Sequence, residues 1–197
     1  MDNAGYTESS TTPEKKDGSG WASFLLETLQ TIVLAIVLYF LIDTVIARVR
    51  VENISMLPTL HEDQFLLVDK ISYHFDKYNH GDIVVFHYPQ NPHEDYIKRM
   101  IGLPGDHIQI VDQKVYVNGY ELSEPYIAAE PDYEGEWDVP DDAFFVLGDN
   151  RNKSSDSHEW GFVPKQNLIG KAILVYWPFS DFQLLTRPDV VKAAMNE

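Results

Sequence analysis

An uncharged apolar run near the N-terminus is the feature that most limits what this chain of 197 residues can fold into. Residues 28–42 read TLQTIVLAIVLYFLI, and residues 45–47 extend the run past Asp43. A helix of about 20 apolar residues spans the hydrocarbon core of a bilayer. Glu27 and Asp43 would lie near the two interfaces, with Trp21 as an aromatic anchor. We therefore predict a membrane-anchoring helix over residues 21–47.

Two alternatives to a membrane anchor stay open at this point. A buried helix of a soluble protein has a similar length and composition. A cleavable signal peptide fits less well, because no small-residue cleavage site with a polar continuation follows the apolar run. Orientation in a membrane cannot be decided from charge, since two lysines precede the run (Lys15 and Lys16) and two arginines follow it (Arg48 and Arg50).

The sequence on either side of the run differs sharply in character. Residues 1–20 contain no Val, Ile, Leu, Phe or Trp, so we predict a disordered N-terminal tail. Residues 48–197 contain short alternating apolar segments with turn residues between them, which predicts one all-β domain of antiparallel strands. Asn118-Gly119 between two such segments indicates a tight hairpin. The predicted strands cover residues 64–69, 82–88, 96–103, 107–111, 114–117, 143–147 and 168–177.

Composition excludes several classes of function. The chain has 15 Lys and Arg against 31 Asp and Glu, a net charge of −16, and no Cys. Nucleic-acid binding requires a basic surface, so no nucleic-acid partner is expected. The absence of Cys excludes a disulfide scaffold, a thiolate metal site and a cysteine nucleophile. We expect neither a cofactor nor a metal ion.

An acidic stretch interrupts the alternating pattern at about residues 121–142. From residue 121 to residue 147 the sequence has nine acidic residues and no basic one. A solvated surface loop is the simpler interpretation. A calcium site is the alternative, although the spacing lacks the glycine and the terminal glutamate of an EF-hand loop.

Two residues are candidates for nucleophilic chemistry. Ser55 follows a predicted strand, and Pro58 stiffens the backbone just after it. Lys98 falls in the middle of an apolar strand face, where desolvation would lower the pKa of its amine from about 10.4 and let it act as a general base. The alternatives are a turn serine, an edge-strand lysine that extends to solvent, and a base chosen from the histidines. Those are His61, His74, His80, His87, His93, His107 and His158.

Four segments together resemble the successive sequence boxes of type I signal peptidases. They are SMLPTL at 55–60, HGDIVVF at 80–86, YIKRMIGLPGD at 96–106 and GDNRNKSSDS at 148–157. They stand in the family's order behind an apolar segment, and the likeness runs from about residue 50 to residue 178. The resemblance implies an all-β fold, a barrel or sandwich of antiparallel strands with one N-terminal transmembrane helix. It also implies a Ser/Lys protease with no cofactor.

Carried over to matching positions, the resemblance implies specific roles. Ser55 would be the nucleophile and Lys98 the general base, with Ser154 orienting the lysine. Asp149, Arg151 and Asp156 would support the site. Asn53, two residues before the nucleophile, would donate to the oxyanion; the alternative is that it only caps a turn. One departure stands out, because His158 follows Asp156-Ser157 where the family commonly has Arg.

The resemblance also implies the substrate and the location. The expected partners are preproteins with signal peptides, cut after a small-x-small motif, and the lipid bilayer. The chain would cross the plasma membrane once, with the catalytic domain on the extracytoplasmic side. The strand before Ser55 and residues 82–87 would offer edges to the peptide. A self-cleaving repressor-type Ser/Lys protease and a membrane-tethered binding module are the rivals; the apolar anchor disfavours the first, and the presence of both Ser55 and Lys98 disfavours the second.

Overall fold

The computed structural model describes residues 19–72 and 77–188. The chain divides into two compact units, Met1–Leu41 and Ile42–Glu197. Almost all of the predicted disordered tail, residues 1–18, lies outside the described residues, as does His74.

The described residues of the N-terminal unit form an apolar helix, which continues to Val45. Helix α1 spans Ser19–Val45; within Gly20–Val45 a window of 18 residues has a mean hydropathy of 2.2, and none of the residues in that window is buried. It is the one helix among the described residues that is long and apolar enough to cross a membrane. The core helix of a soluble protein would be mostly buried, so this exposure disfavours the soluble alternative. The helix ends two residues before the end of the predicted anchor, because Ile46 and Ala47 already belong to a strand.

The second unit is built from antiparallel strands, which confirms the predicted all-β class. A short helix in it, α2, spans Ser157–Trp160. The strands are β1 Ile46–Arg50, β2 Phe65–Asp69, β3 Ile83–Tyr88, β4 Asn91–Gly102, β5 His107–Val111, β6 Lys114–Val117, β7 Tyr120–Glu121, β8 Gly135–Asp138, β9 Ala143–Leu147, β10 Val163–Pro164, β11 Leu168–Trp177 and β12 Gln183–Leu184.

The strands form two sheets. The larger has eight strands in the order β1-β2-β11-β3-β4-β9-β10, with β12 also paired to β11. The smaller has the order β7-β6-β5-β8. A hydrophobic cluster joins the sheets, since Ile108 and Val115 of the small sheet pack with Phe145 and Leu147 of β9. Burial of these side chains provides much of the driving force for folding.

Strand β4 changes surroundings along its length. Residues 95–98 pair with β3 on one side only, whereas Arg99–Gly102 also face β9 on the other side. Lys98 is therefore the last residue before β4 enters the interior of the sheet. The opposite edge of residues 91–97 has no strand beside it among the described residues.

Strand β3 lies between β11 and β4, so both of its edges are paired. The expectation that residues 82–87 offer a free edge to a peptide is wrong for this reason. Two free edges lie next to the predicted site among the described residues: that of β1, the strand before Ser55, which pairs with β2 only, and that of the first half of β4.

The acidic stretch 121–142 is more structured than a plain solvated loop. It contains β8, which pairs with β5, and its alternating acidic residues on that strand face solvent. The hairpin predicted at Asn118-Gly119 is present, with φ values of 53° and 83° that suit a tight left-handed turn.

Candidate active site

The loop after β1 presents Ser55. Val51 and Met56 are buried on either side of it in sequence and join the core cluster beneath the loop. Asn150 fastens the loop from a distant part of the chain. Its backbone N–H donates to the carbonyl oxygen of Ser55 at 3.0 Å, and its side-chain amide donates to the carbonyl oxygen of Ile54 at 3.0 Å.

Lys98 reaches Ser55 from the large sheet. Its Nζ donates to Ser55 Oγ at 2.8 Å and to the carbonyl oxygen of Ile97 at 3.2 Å. Lys98 is only 2% exposed and Ser55 only 7%. The alternative of an edge lysine that extends into solvent is therefore wrong, because the amine points into the protein.

Burial determines the acidity of Lys98. An ammonium group removed from water loses hydration, which disfavours the charged form. Desolvation lowers the pKa of Lys98 from 10.5 to about 8, although the negative charges of Asp156 and Asp149 act in the opposite direction. A substantial fraction of the side chain is thus a neutral amine slightly above neutral pH.

Asn53 caps the turn that carries Ser55. Its Oδ1 accepts from the Ser55 backbone N–H at 3.1 Å and from the Ser55 hydroxyl at 2.7 Å. The backbone N–H can only donate, so the side-chain oxygen and not the amide nitrogen must face it. This geometry favours the turn-capping alternative, and the oxyanion-donor role of Asn53 stays a prediction.

Ser154 is buried close to this loop but makes no hydrogen bond through its hydroxyl among the described residues. A Cβ on Gly148 would overlap the Ser154 side chain and the Ser55 carbonyl oxygen, so the glycine allows the two serine segments to approach each other. The predicted orienting contact from Ser154 to Lys98 is not among the hydrogen bonds of this structure, and its role stays a prediction.

Asp149 forms a buried ion pair with a residue that sequence reasoning missed. Arg99 donates to both carboxylate oxygens, through Nε at 2.8 Å and Nη2 at 2.6 Å, and donates a third bond to the carbonyl oxygen of Gly81 at 2.8 Å. The Thr59 hydroxyl also donates to Asp149. Alternation along β4 places Arg99 on the face opposite Lys98, but no feature of the sequence indicates that Asp149 is its partner.

Arg151 is held by a residue of the acidic stretch. It donates to both oxygens of Glu124, at 2.7 and 2.5 Å, and its Nε donates to the carbonyl oxygen of Gly148 at 3.1 Å. The Tyr126 ring lies 3.9 Å from the Arg99 guanidinium and 6.0 Å from that of Arg151. Glu124 and Tyr126 were both missed, because a surface-loop interpretation gave no reason to bury them.

Asp156 is fully buried and connects three groups. Its Oδ2 accepts from the Gly148 N–H at 2.8 Å, and its Oδ1 lies 2.7 Å from Nδ1 of His158. The carboxylate also caps the first turn of α2 by accepting from the His158 backbone N–H at 3.3 Å. In the sequence, His158 stood out only because the family commonly has Arg at this position. Its contact with Asp156 was not predicted.

None of the described histidines bonds to Ser55, whose hydroxyl contacts only Asn53 and Lys98. Three of them pair with carboxylates elsewhere: His80 with Asp106, His87 with Asp95 and His107 with Asp138. Across residues 19–72 and 77–188, no group of three or more His, Asp or Glu side chains is arranged to hold a metal ion. The acidic stretch, which lies wholly within these ranges, thus contains no calcium cluster.

We expect Lys98→Met to stabilise the protein at pH 7. An amine whose pKa falls from 10.5 to about 8 on folding is protonated in both states below pH 8, so the folded state carries the full cost there, about 3 kcal/mol. Between the two pKa values the unfolded chain binds the extra proton, and wild-type stability rises with pH. Denaturant unfolding of the detergent-solubilised protein should show a gain that is largest below pH 8 and shrinks toward pH 10.5.

Lys153→Met is the matched control, because Lys153 is exposed and the substitution removes the same charge. It should leave the free energy of unfolding within about 0.5 kcal/mol of wild type. A Lys98→Met variant no more stable than wild type at pH 7 would show that burial of the amine carries no such cost.

Known proteins resemble this chain over most of its length. Residues 25–177 match the family described as signal peptidase, peptidase S26. The chain is 50% identical to signal peptidase I of Leptolyngbya laminosa, over 78% of this chain and 80% of that protein. It is 46% identical to the probable signal peptidase I-2 of a Synechocystis species, over 87% and 82%. Identity to signal peptidase I of Bacillus caldolyticus is 41%, over 67% and 80%.

The family match covers well over half of the chain, and these relatives are aligned over most of their own length. The chain therefore belongs to the signal peptidase family, peptidase S26.

Proposed function

We propose that this protein is a membrane-anchored serine endopeptidase that removes signal peptides from preproteins, with Ser55 as nucleophile and Lys98 as general base. One observation carries the proposal. The Lys98 amine lies 2.8 Å from the Ser55 hydroxyl oxygen, inside hydrogen-bond reach, while the lysine is 2% exposed. The family relationship supports the same reaction, since relatives over most of the chain are named signal peptidase I.

The proposed chemistry is acyl transfer in two steps. Neutral Lys98 takes the hydroxyl proton as Ser55 Oγ attacks the scissile carbonyl, and the resulting ammonium gives that proton to the leaving amine. The acyl group is then bound to Ser55 as an ester. Water attacks this ester while Lys98 again takes a proton, which returns to Ser55 Oγ as the ester bond breaks.

The hydrogen bonds of Ser55 allow this order of proton transfers when Lys98 is neutral. With the ammonium form, Nζ donates to Ser55 Oγ and the hydroxyl proton points to Asn53 Oδ1. Loss of one proton from Nζ frees a lone pair toward the same oxygen. Because the two acceptors lie 2.7 and 2.8 Å from Oγ, rotation of the hydroxyl alone redirects its proton to Lys98.

A groove beside these residues suits an extended peptide. It has a volume of about 610 Å³; one wall is the chain over residues 48–53 and the other is residues 93–97 of β4. The edge of β4 that faces it has no strand partner among the described residues. A peptide that adds to such an edge gains backbone hydrogen bonds, and its alternate side chains point to the protein. Pockets for small side chains would select a small-x-small motif.

The membrane assignment rests on α1. A span of this length and hydropathy suits a single crossing. We propose that the protein lies in the plasma membrane with its β unit on the extracytoplasmic side, where signal peptides emerge. Anchoring enzyme and substrate in one bilayer would raise their effective concentration.

Removal of either proposed reactive group should abolish processing. We expect Ser55→Ala and Lys98→Met each to lower kcat/KM for a preprotein with an Ala-x-Ala site by about a thousandfold or more, because nucleophile and base act as a unit. Matched controls are Ser155→Ala and Lys153→Met, which alter exposed residues of the same types. Gel-based cleavage by the detergent-solubilised protein measures the effect. If Ser55→Ala processed the substrate as fast as wild type, the assignment of the nucleophile would be wrong.

The pH dependence should follow the amine of Lys98. Because the base must be neutral and its pKa is about 8, kcat/KM should rise with pH and level off above about pH 8. A histidine base of ordinary pKa would instead bring the plateau near pH 6.5 to 7. Initial rates over this range, with stability checked at each pH, separate the two. Full activity already at pH 6 would contradict a lysine base.

Asn53→Ala separates turn capping from oxyanion stabilisation. The observed contacts lead us to expect a loss of about 1 kcal/mol in stability with less than a tenfold fall in kcat, because a capping acceptor is removed. Loss of an oxyanion donor would lower kcat about 100-fold or more with little change in stability. Kinetics and thermal unfolding of the same preparation decide which role applies.

A further inference from the structure

The negative charges of two buried carboxylates, Asp156 and Asp149, act on Lys98, and each carboxylate has a different kind of partner. Asp149 is paired with Arg99, whose guanidinium stays charged at every physiological pH. Asp156 is paired with His158, whose imidazole gains or loses its charge near neutrality. The negative charge of Asp149 is thus permanently compensated, whereas that of Asp156 is compensated only while His158 is protonated.

The geometry holds the His158 ring in one place. Nδ1 lies 2.7 Å from Asp156 Oδ1, so the tautomer or charge of the ring is coupled directly to that carboxylate. The Tyr133 ring stacks on the imidazole at 3.8 Å with an interplanar angle of 9°. Asp156 in turn is fixed by the Gly148 N–H at 2.8 Å. The pair therefore has little freedom to reorient when its charge changes.

We propose that His158 is a positioning residue that acts through Asp156: its protonation state sets how strongly that carboxylate holds the proton on Lys98. This inference rests on the proposed Ser55–Lys98 chemistry. Protonated His158 offsets the charge of Asp156, and the ammonium of Lys98 loses electrostatic support. Neutral His158 leaves that charge uncompensated, and the ammonium is favoured.

The two titrations oppose each other along the pH scale. When His158 loses its proton as the pH rises, the negative charge of Asp156 is no longer offset, and deprotonation of Lys98 becomes harder. Activity that depends on neutral Lys98 should then rise over a wider pH range than a single independent group would give. At mildly acidic pH the pairing therefore raises the small neutral fraction of Lys98 above that of a lysine beside an uncompensated carboxylate.

The other charges around His158 act in the direction that keeps it protonated. Glu159 on the same short helix lies 3.9 Å from Nε2, and Asp132 approaches from the loop that carries Tyr133. Burial opposes protonation, but Asp156, Glu159 and Asp132 together raise the pKa of His158 above its usual value. Arg151 also acts on the neighbouring Tyr133, and it is paired with Glu124.

Variants of fixed charge test the proposal. Profiles of kcat/KM from about pH 5.5 to about pH 10 would be measured for wild type, His158→Arg and His158→Gln with one preprotein substrate. We expect the midpoint for His158→Arg to lie about half a unit to one unit below that for His158→Gln, which is at least about a threefold higher kcat/KM at pH 7. Wild type should follow the Arg variant at low pH and the Gln variant at high pH, with a shallower rise than either.

His107→Gln is the matched control. His107 is paired with Asp138 at the same 2.7 Å, but on the small sheet, and Asp138 is not among the charges that act on Lys98. This variant should keep the wild-type profile. If all three His158 forms shared one midpoint and one slope, the proposal would be overturned while their cleavage activity left the Ser55–Lys98 assignment intact. Failure of that assignment would appear differently, as undiminished cleavage by Ser55→Ala.

A second measurement does not depend on activity or on how well the Arg variant folds. In protein labelled at the lysine ε-carbon, the resonance of Lys98 is the one missing from Lys98→Met. In wild type it should show a second inflection at the pH where His158 titrates, and His158→Gln should lack that inflection. A single inflection in both proteins would contradict the proposal.

Discussion

The burial of one amine determines how the rest of this site is built. Lys98 is inserted into the protein where β4 passes from a free edge into the sheet, and desolvation brings the pKa of its amine down to about 8. The same burial destabilises the folded state, because the charged form has lost its hydration. A site of this kind needs a rigid and otherwise stable surrounding sheet. Here β3 and β9 provide it with side chains that are fully buried, such as Val84 and Val146.

Every other charge near the amine then needs a partner. A buried carboxylate without one would raise the pKa of Lys98 and would itself be costly to bury. Asp149 has Arg99, and Arg151 has Glu124, with the Tyr126 ring against both guanidiniums. These partners come from β4, the acidic stretch and the loop after β9. The ion pairs therefore tie three distant parts of the chain together and at the same time limit the field at Lys98.

Sequence patterns predicted the strands whose residues themselves mark where the strand begins and ends. The bounds of β5, β6, β9 and β11 coincide with the predicted strands, because alternation and turn residues mark both ends. Strand β8 was missed because Gly135–Asp138 is too acidic to read as a strand, although only one face is solvated.

The ion pairs could not be predicted for a different reason. Arg99 and Asp149 are 50 residues apart, and neither residue carries a local sign of its partner. Motif matching selected Ser55 and Lys98 as candidates, but it could not predict that the Asn53 side-chain oxygen faces the Ser55 hydroxyl.

The two proposed reactive groups belong to different structural elements. The distance between them therefore depends on how the whole β unit is held together. Lys98 belongs to a sheet strand, whereas Ser55 belongs to the loop that follows β1. The loop is fixed by Asn150, which donates to the carbonyl oxygens of Ser55 and Ile54 from the segment that follows β9. Strand β9 pairs directly with β4 at Arg99 and Met100. The segment that holds the Ser55 loop and the strand that carries Lys98 are therefore anchored in the same part of the sheet. Gly148 completes the connection, because only a residue without Cβ lets that segment approach Ser55 closely enough for Asn150 to reach it.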